Sequence, residues 1–460
     1  MDITGIDRNG STEYRGVRFA TADRFEPPVD VVGWEPGFDA TTFGAQAPQV
    51  TGALEQMLGA TDLATSEDCF FLNVFTPNAD AGARPVLVFI HGGAFVTGTA
   101  SMPWYDGASL AAGGDVVVVT VNYRLGALGF LGDRNLGTLD QISALRWVQR
   151  HVADFGGDPG NVTIFGESAG GSAVVSLLAA PDANDLFHRV WSMSPSLLQL
   201  RDGETAERFE QSYLDAIGAG ASADDLEAMS VDDLLDAQQR VPMDASMRVF
   251  SPAAVPPVFP APILETAHED TRAVVVGANR DEMLLFTAFD QSRLLWGAAD
   301  IEREFAARFG PATADAIAAY RELRPGTDAS KLVSAMQTDE VFRRPAQRLA
   351  EARSATGSAT WMYTFDQPST SFGGVLGCCH GLDIPYAFDT LAAPGVEMFT
   401  GLGEDRQAVA EQFSSALLRF ARSGEPGWPR FDTDRRATQR IGPFPGVVDD
   451  PEPALRTLWD

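Results

Sequence analysis

The chain has few residues of the kinds that cross-link a fold or bind metals. Its 460 residues include three cysteines, Cys69, Cys378 and Cys379, which are too few for a disulfide framework. Five histidines and the lack of any Cys-x-x-Cys pair argue against a metal site. We therefore expect buried free thiols, a reducing compartment and no metal or organic cofactor.

Positive charge and long apolar runs are scarce as well. Lysine and arginine number 34 against 63 acidic residues, so the formal net charge is −29. Like charges repel, which disfavours nucleic acid or an anionic membrane as a partner. The sequence shows neither a run of eighteen apolar residues nor a basic-then-apolar start, so no membrane span or signal peptide is expected. We expect a cytoplasmic protein, monomeric or weakly dimeric, whose partner is a small molecule.

Hydrophobic residues make up 45% of the chain, and they alternate between short β-branched runs and helical patterns. Continuous runs bounded by glycine or proline are typical of buried parallel strands. The predicted strands are 86–90, 116–121, 162–165, 190–192, 273–277 and 360–365. A helical spacing covers 139–151. This alternation predicts an α/β fold with a mostly parallel sheet covered by helices on both faces.

Other parts of the chain predict smaller features. Short runs among turn residues in the first eighty positions predict small strands that form a small N-terminal antiparallel sheet. Two helical inserts are expected at about 202–245 and 300–350, forming a cap or flanking region over the sheet edge. Ser222 and Ser230, each followed by carboxylates, have the pattern of helix N-termini. We expect one domain over 1–460.

The clearest chemical motif is Gly166-Glu-Ser-Ala-Gly170, which fits Gly-x-Ser-x-Gly. A β-branched run precedes it and an Ala/Val/Leu segment follows, so it lies where a strand turns sharply into a helix. Such a turn holds a serine in a strained conformation and needs small neighbours for clearance. The motif therefore predicts Ser168 as a nucleophile.

A serine nucleophile needs a general base, and the five histidines supply the candidates. His151 and His188 lie in helical, charged contexts and are expected at the surface, and His268 lies in another polar stretch. His91 begins a glycine-rich turn of its own. His380 follows the glycine-rich stretch 373–381, which can bring an imidazole over the strand ends. By elimination His380 is the predicted base.

The base in turn needs a carboxylate. Where the serine lies at such a strand-to-helix turn, the carboxylate comes after the serine and before the histidine along the chain. Asp281 and Glu282 come directly after the predicted strand 273–277. Spacing alone does not choose between them.

Backbone amides are predicted to stabilise an oxyanion. His91-Gly-Gly-Ala94 follows a predicted strand, and its small residues let the N–H groups of Gly93 and Ala94 approach a substrate oxygen. The N–H of Ala169, just after the nucleophile, is the third expected donor. Candidate pocket aromatics near these segments are Phe95, Trp104, Phe286, Phe289 and Phe372.

Motif segments spread over nearly the whole chain carry a family resemblance. They are 66–74, 91–95, 121–126, 135–141, 155–159, 165–171, 277–282, 380–386 and 420–429. In these segments the chain resembles the type-B carboxylesterases, a branch of the α/β-hydrolases. The resemblance implies the α/β-hydrolase fold and ester hydrolysis through an acyl-enzyme.

The resemblance also assigns particular residues. It implies Glu282 as the third catalytic residue and Ser194 as a supporting serine near it. In secreted members the position of Cys69 is bridged to an earlier cysteine, but the corresponding residue here is Ala47, so Cys69 is expected to be free. Met193 replaces the usual glycine. The alternatives are a non-catalytic binding module of the same fold and a hydrolase that prefers amides, carbamates or lipids.

Overall fold

Eleven strands form one mixed sheet in the computed structural model, which describes residues 2–8, 10–52, 63–218, 220–241 and 250–460. In chain order the strands are β1 (Ile6–Arg8), β2 (Ser11–Arg18), β3 (Phe71–Thr76), β4 (Arg84–Ile90), β5 (Val117–Val121), β6 (Gly157–Glu167), β7 (Arg189–Met193), β8 (Ala273–Asn279), β9 (Thr360–Phe365), β10 (Thr438–Ile441) and β11 (Gly446–Val448). All six predicted strands are present, and β6 is longer at both ends than the predicted 162–165.

The sheet order is β11-β10-β9-β8-β7-β6-β4-β5-β3-β2-β1. From β10 to β5 every neighbour is parallel, while β1, β2, β3 and β11 pair antiparallel. The sheet is thus mostly parallel at its centre, as predicted, and this is the α/β-hydrolase arrangement. The predicted N-terminal antiparallel strands extend the large sheet. A separate antiparallel pair joins Ala20–Thr21 to Val29–Asp30.

Side chains of the central strands alternate between two hydrophobic clusters, one on each face of the sheet. In β4, Val86, Val88 and Ile90 face one cluster, and Leu87 and Phe89 face the other. The first face is covered by Leu136–His151, Ala169–Leu177, Ile263–Glu269 and Arg344–Ala355, and the second by Ala108–Gly114, Ile384–Ala387, Val396–Thr400 and Arg406–Ser423. Helices therefore lie on both faces, as the alternating sequence pattern predicts.

The two predicted inserts are helical. The first holds Gly203–Ile217, Ala223–Ala228 and Val231–Arg240, and the second holds Ala298–Phe309, Thr313–Leu323, Ala329–Thr338, the π-helical Asp339–Arg343 and Arg344–Ala355. Residues 242–245 of the first insert lie outside the described residues. Both predicted helix starts are confirmed, because Ser222 N–H donates to Asp225 and Asp233 N–H donates to Ser230. That the inserts form a cap stays a prediction.

A buried ion pair joins the connection after β5 to the helix Leu136–His151. Arg124 Nη2 lies 2.7 Å from Asp140 Oδ1, and Arg124 also donates to Asp140 through Nε and its backbone N–H. The Asp140 side chain is fully buried and that of Arg124 is 4% exposed. Such a pair needs both partners, because either charge alone would be buried without compensation.

The three cysteines are buried and unbridged, as predicted. Burial is the largest cause that raises the pKa of the Cys69 thiol above its ordinary value. Within the described ranges, no helix combines the length and the apolar character that a membrane crossing requires.

Candidate active site

Ser168 lies at the turn between β6 and the helix Ala169–Leu177, and its backbone is strained. Its φ of 59° and ψ of −121° are values that a non-glycine residue rarely adopts. A Cβ on Gly166 would lie 2.6 Å from Ile90 O, and one on Gly170 would overlap the same oxygen. The glycines thus let the turn approach the end of β4. This is the clearance that the sequence motif predicts.

Two loops meet beside this turn. Asp281 N–H donates to Cys378 O at 2.9 Å, and His380 N–H donates to Glu282 O at 3.1 Å. The Asn279 side-chain amide adds a bond to Cys379 O at 2.8 Å. These bonds hold the loop after β8 against the loop that carries His380. The relative positions of the two side chains are therefore set by backbone hydrogen bonds.

Glu282, rather than Asp281, contacts the imidazole. His380 Nδ1 lies 2.7 Å from Glu282 Oε2, while Asn279 N–H donates to Glu282 Oε1 at 2.6 Å. The Glu282 side chain is fully buried. Asp281 instead accepts from Cys378 N–H at 3.0 Å and pairs with Arg280. Both carboxylate oxygens of Glu282 thus have donors, and the geometry favours the assignment that the resemblance implies.

The other imidazole nitrogen faces the neighbour of the nucleophile. His380 Nε2 lies 3.2 Å from Glu167 Oε1, which has no aligned hydrogen-bond donor among the described residues. No side chain among the residues that the structure describes hydrogen-bonds to Ser168 Oγ. Catalytic hydrogen bonds in substrate-free sites are often long and shorten in the substrate complex. The arrangement places a carboxylate, the imidazole and the serine turn together.

Three buried carboxylates, those of Glu167, Glu282 and Asp383, surround His380. Because like charges repel, ionising all three in a buried site costs free energy. Burial raises the pKa of Glu167 to about 7 and raises that of Asp383 well above its usual range. Burial would lower the pKa of His380, but the charges of Glu167 and Glu282 outweigh it and raise that pKa to about 9. The carboxylates around His380 therefore stabilise its imidazolium form relative to the neutral imidazole.

The glycine loop after β4 has a left-handed backbone at three successive residues. The φ angles are 104° at Gly93, 54° at Ala94 and 61° at Phe95. Val96 and Thr97 N–H both donate to Gly93 O. Within the described ranges, neither Gly93 nor Ala94 donates a backbone hydrogen bond, so both N–H groups are free to bind an oxygen.

The third predicted donor, Ala169, is the first residue of its helix. The first N–H groups of a helix have no intrahelical acceptor and carry the positive end of its dipole. An oxyanion beside Ser168 would meet this N–H. Gly92 lies close by, since a Cβ there would be 3.1 Å from Ser168 Cβ.

The remaining histidines have structural contacts. His91 is buried, stacks on Tyr123 with ring centroids 4.5 Å apart and bonds to Gly92 O. Burial lowers the pKa of His91 to about 4, so its ring is neutral. His151 and His188, which were expected at the surface, are partly buried, as is His268, so part of each side chain still reaches the surface. His188 accepts from Val162 N–H at 3.0 Å.

The five candidate aromatics divide by position. Phe286 is partly buried, with its ring 5.6 Å from that of His380. Phe95 and Trp104 are core residues, while Phe289 and Phe372 are half-exposed and contact each other at 5.3 Å. Phe286 is therefore the candidate that reaches the site directly.

Met193 and Ser194, which the family resemblance singled out, lie next to the Ser168 turn. Met193 O accepts from Ser168 N–H at 3.0 Å, a backbone contact that any residue could make. Ser194 is buried next to it and donates its N–H to Gly277 O.

The sequence motifs did not single out Glu167 and Asp383. Their signals were a carboxylate beside the nucleophile and one three residues after the base.

The comparisons with known proteins agree on one family. The model of the carboxylesterase family matches residues 2–445. A para-nitrobenzyl esterase of Bacillus subtilis is 33% identical over 99% of this chain and 96% of that protein. A phenmedipham hydrolase of Pseudarthrobacter oxydans is also 33% identical, over 96% of this chain and 93% of its own length.

The solved structures agree with the sequence relatives. A Geobacillus stearothermophilus carboxylesterase superposes with a TM-score of 0.87 at 34% identity, covering 100% of this chain and 98% of that one. With a family model over nearly its full length, relatives a third identical and a carboxylesterase structure that superposes over the whole chain, the chain belongs to the carboxylesterase family and is a carboxylic ester hydrolase of the α/β-hydrolase fold.

Proposed function

We propose that Ser168, His380 and Glu282 form the catalytic triad of a serine carboxylesterase. The observation that carries this proposal is the buried Glu282–His380 pair at 2.7 Å, which is held beside the strained turn of Ser168. A carboxylate on Nδ1 fixes the tautomer that leaves Nε2 free to accept a proton. A non-catalytic module would have no need of either the pair or the strain.

The reaction proceeds through an acyl-enzyme. His380 Nε2 takes the proton of Ser168 Oγ as that oxygen bonds to the ester carbonyl carbon. The tetrahedral intermediate collapses by breaking the bond to the alkoxy oxygen, which leaves as the alcohol with the proton from His380. Water then adds to the acyl carbon while His380 takes its proton, and the second tetrahedral intermediate collapses by breaking the bond to Ser168 Oγ. His380 returns the proton to Oγ, and the acid departs. Glu282 holds the imidazole in its orientation throughout.

Three N–H groups stabilise the oxyanion of each tetrahedral intermediate. Gly93 and Ala94 supply two from the loop after β4, and Ala169 supplies the third from the helix N-terminus. These donors belong to rigid backbone and need no reorganisation as charge develops on the oxygen. The left-handed φ angles of the loop support this role, because successive N–H groups in turns of this kind form concavities that bind anions.

The buried carboxylates set the pH range in which the base works. A general base must be neutral, and the neighbouring charges of Glu167 and Glu282 stabilise the imidazolium of His380. The same charges stabilise the imidazolium that forms in the transition state. We infer that kcat/KM rises with pH as the resting imidazolium loses its proton.

The substrate we propose is a small neutral ester. The acidic charge of the chain disfavours carboxylate-bearing substrates, and Phe286 offers an apolar contact beside His380. The relatives named for para-nitrobenzyl esters and for phenmedipham make p-nitrobenzyl esters and phenmedipham itself the first substrates to test. We keep the expectations of a cytoplasmic location and of a monomer or weak dimer as proposals.

The experiment compares Ser168→Ala with a matched control, Ser172→Ala. Ser172 lies one helical turn further on, is fully buried and has no side-chain partner among the described residues. Hydrolysis of a p-nitrophenyl ester and labelling by a fluorophosphonate, read by mass spectrometry, are measured on both variants. We expect Ser168→Ala to lose both and Ser172→Ala to keep both. Wild-type rates in Ser168→Ala would refute the assignment.

A further inference from the structure

The long helical segment 329–355, which lies near the site, contains one π-helical turn. The α-helix Ala329–Thr338 continues into a π-helical turn at Asp339–Arg343 and then into the α-helix Arg344–Ala355. Arg344 N–H donates to Asp339 O, five residues back. Turns of this kind are rare and occur often at functional sites.

The sequence provides a cause for this turn. Pro345 has no N–H, and in a regular helix its ring would collide with the carbonyl of Val341. Widening the preceding turn by one residue relieves the collision and keeps the helix continuous. The π turn is therefore encoded locally.

The side chains around the π turn contact both sides of the Glu282 loop. Thr338 Oγ1 accepts from Met283 N–H at 3.1 Å, and Arg343 Nη2 donates to Arg280 O at 2.6 Å. These backbone groups belong to the residue just after Glu282 and to one two positions before it. Phe342 is fully buried, and its ring lies 4.6 Å from that of His380.

The widened turn brings Thr338 and Arg343 toward the same loop. In an α-helix, residues five apart project about 140° from each other, on different faces. A turn with i→i+5 bonds places them above one another. The extra residue thus converts two divergent side chains into a pair that holds one loop.

Arg343 is itself held in place. Its Nη1 pairs with Asp339 at 2.5 Å and with Glu452 at 3.1 Å. Asp339 also accepts from Tyr320 O–H at 2.5 Å. Arg343 is 12% exposed, so these bonds fix a nearly buried guanidinium. A side chain this constrained can determine the position of the carbonyl that it contacts.

We propose that the π turn positions the triad carboxylate, Glu282. Thr338 and Arg343 are the positioning residues, and they hold the loop that carries Glu282 against His380. This inference rests on the proposed function, since it concerns the triad of the esterase reaction. Small displacements of a catalytic group lower the rate far more than they change substrate binding. Loosening the loop should therefore lower kcat and leave KM nearly unchanged.

The test compares Thr338→Val with Thr338→Ser in the full chain. Valine keeps the shape but cannot accept from Met283 N–H, whereas serine keeps the hydroxyl. We expect Thr338→Val to lose about 10-fold or more in kcat, with KM within about 2-fold, and Thr338→Ser to keep most of kcat. Arg343→Gln is expected to behave like Thr338→Val.

Arg324→Gln is the control, because Arg324 pairs with the same Glu452 at 2.7 Å and, among the described residues, makes no hydrogen bond or ion pair with the Glu282 loop. We expect Arg324→Gln to lower the melting temperature with kcat unchanged. If Thr338→Val and Arg343→Gln lose stability and keep kcat, as Arg324→Gln should, the positioning role is refuted while the triad stands. An active Ser168→Ala would refute both. If Arg343→Gln fails to fold, the Thr338 pair still decides.

Discussion

Replacing Glu282 by glutamine tests the triad through the geometry of a single carboxylate. Its two oxygens have different donors, with Asn279 N–H at 2.6 Å on Oε1 and His380 Nδ1 at 2.7 Å on Oε2. Glutamine has the same shape but offers one oxygen and one amino group. The amide must therefore choose which donor it faces with its oxygen.

The backbone decides that choice. Asn279 N–H cannot become an acceptor, so the amide oxygen of Glu282→Gln faces Asn279 and the amino group faces His380. Nδ1 must then accept a hydrogen bond, which moves the proton of the neutral ring to Nε2. In this tautomer the ring cannot accept the Ser168 proton. The same change of tautomer costs about 10⁴ in kcat in the serine proteases, or about 5 kcal/mol.

Asp281→Asn is the matched control. Asp281 accepts from Cys378 N–H at 3.0 Å and pairs with Arg280, which is 40% exposed. An asparagine oxygen can still accept from Cys378, and an ion pair this exposed contributes little. We expect its kcat to stay within about 10-fold of wild type. Stopped-flow hydrolysis of a p-nitrophenyl ester measures both variants. A Glu282→Gln rate within 10-fold of wild type, or a larger loss in Asp281→Asn, would refute this reasoning.

Three further predictions concern the surroundings of the triad. Glu167→Gln removes a charge 3.2 Å from His380 Nε2, so the pKa of His380 should fall. The acid limb of the kcat/KM profile should then move about one to three units lower in pH. An acid limb that does not move would count against a role of Glu167 in raising the pKa of His380. Gly93→Ala places a Cβ onto Thr97 O at a φ of 104°, and kcat should fall about 10²- to 10³-fold. Arg124→Met leaves Asp140 buried without its partner and should cost about 3–5 kcal/mol of unfolding free energy in urea melts, whereas a cost under 1 kcal/mol would contradict it.

Much of the fold could be predicted because the parallel strands are buried on both faces. Such strands read as continuous β-branched runs, and β4, β5 and β9 match their predicted ranges within two residues. The turn at Ser168 was predictable for the same local reason, since glycines flank a serine between a strand and a helix. These signals need no knowledge of distant contacts.

The choice between Asp281 and Glu282 could not be made from spacing. Both residues lie in one turn, and the turn conformation decides which carboxylate points to His380. That conformation depends on hydrogen bonds from Cys378 and to Thr338, residues about 100 and 55 positions away. The resemblance to a family supplied the assignment of Glu282 that the local pattern lacked, and the contact between Glu282 and His380 favours it.

Electrostatics was the other part beyond the reach of the sequence. Glu167 fills an unrestricted position of its motif, and Asp383 starts a short helix after the base. Neither residue type carries a local sign that it will be buried. Their raised pKa values arise from the packing that places three carboxylates around one imidazole. Such values follow from tertiary structure alone.

The parallel topology explains why these distant segments form one site. β4, β6 and β8 all run in the same direction, so the glycine loop, Ser168 and the Glu282 loop leave the sheet at the same edge. β9 pairs with β8 as far as Asn279 opposite Phe365, and the chain then leads to His380 at that edge. The sheet thus brings the segments within reach, and the π turn and the loop-to-loop hydrogen bonds must supply the remaining precision. Variants of the sheet core should therefore lower stability with kcat intact, whereas variants of these bonds should lower kcat first.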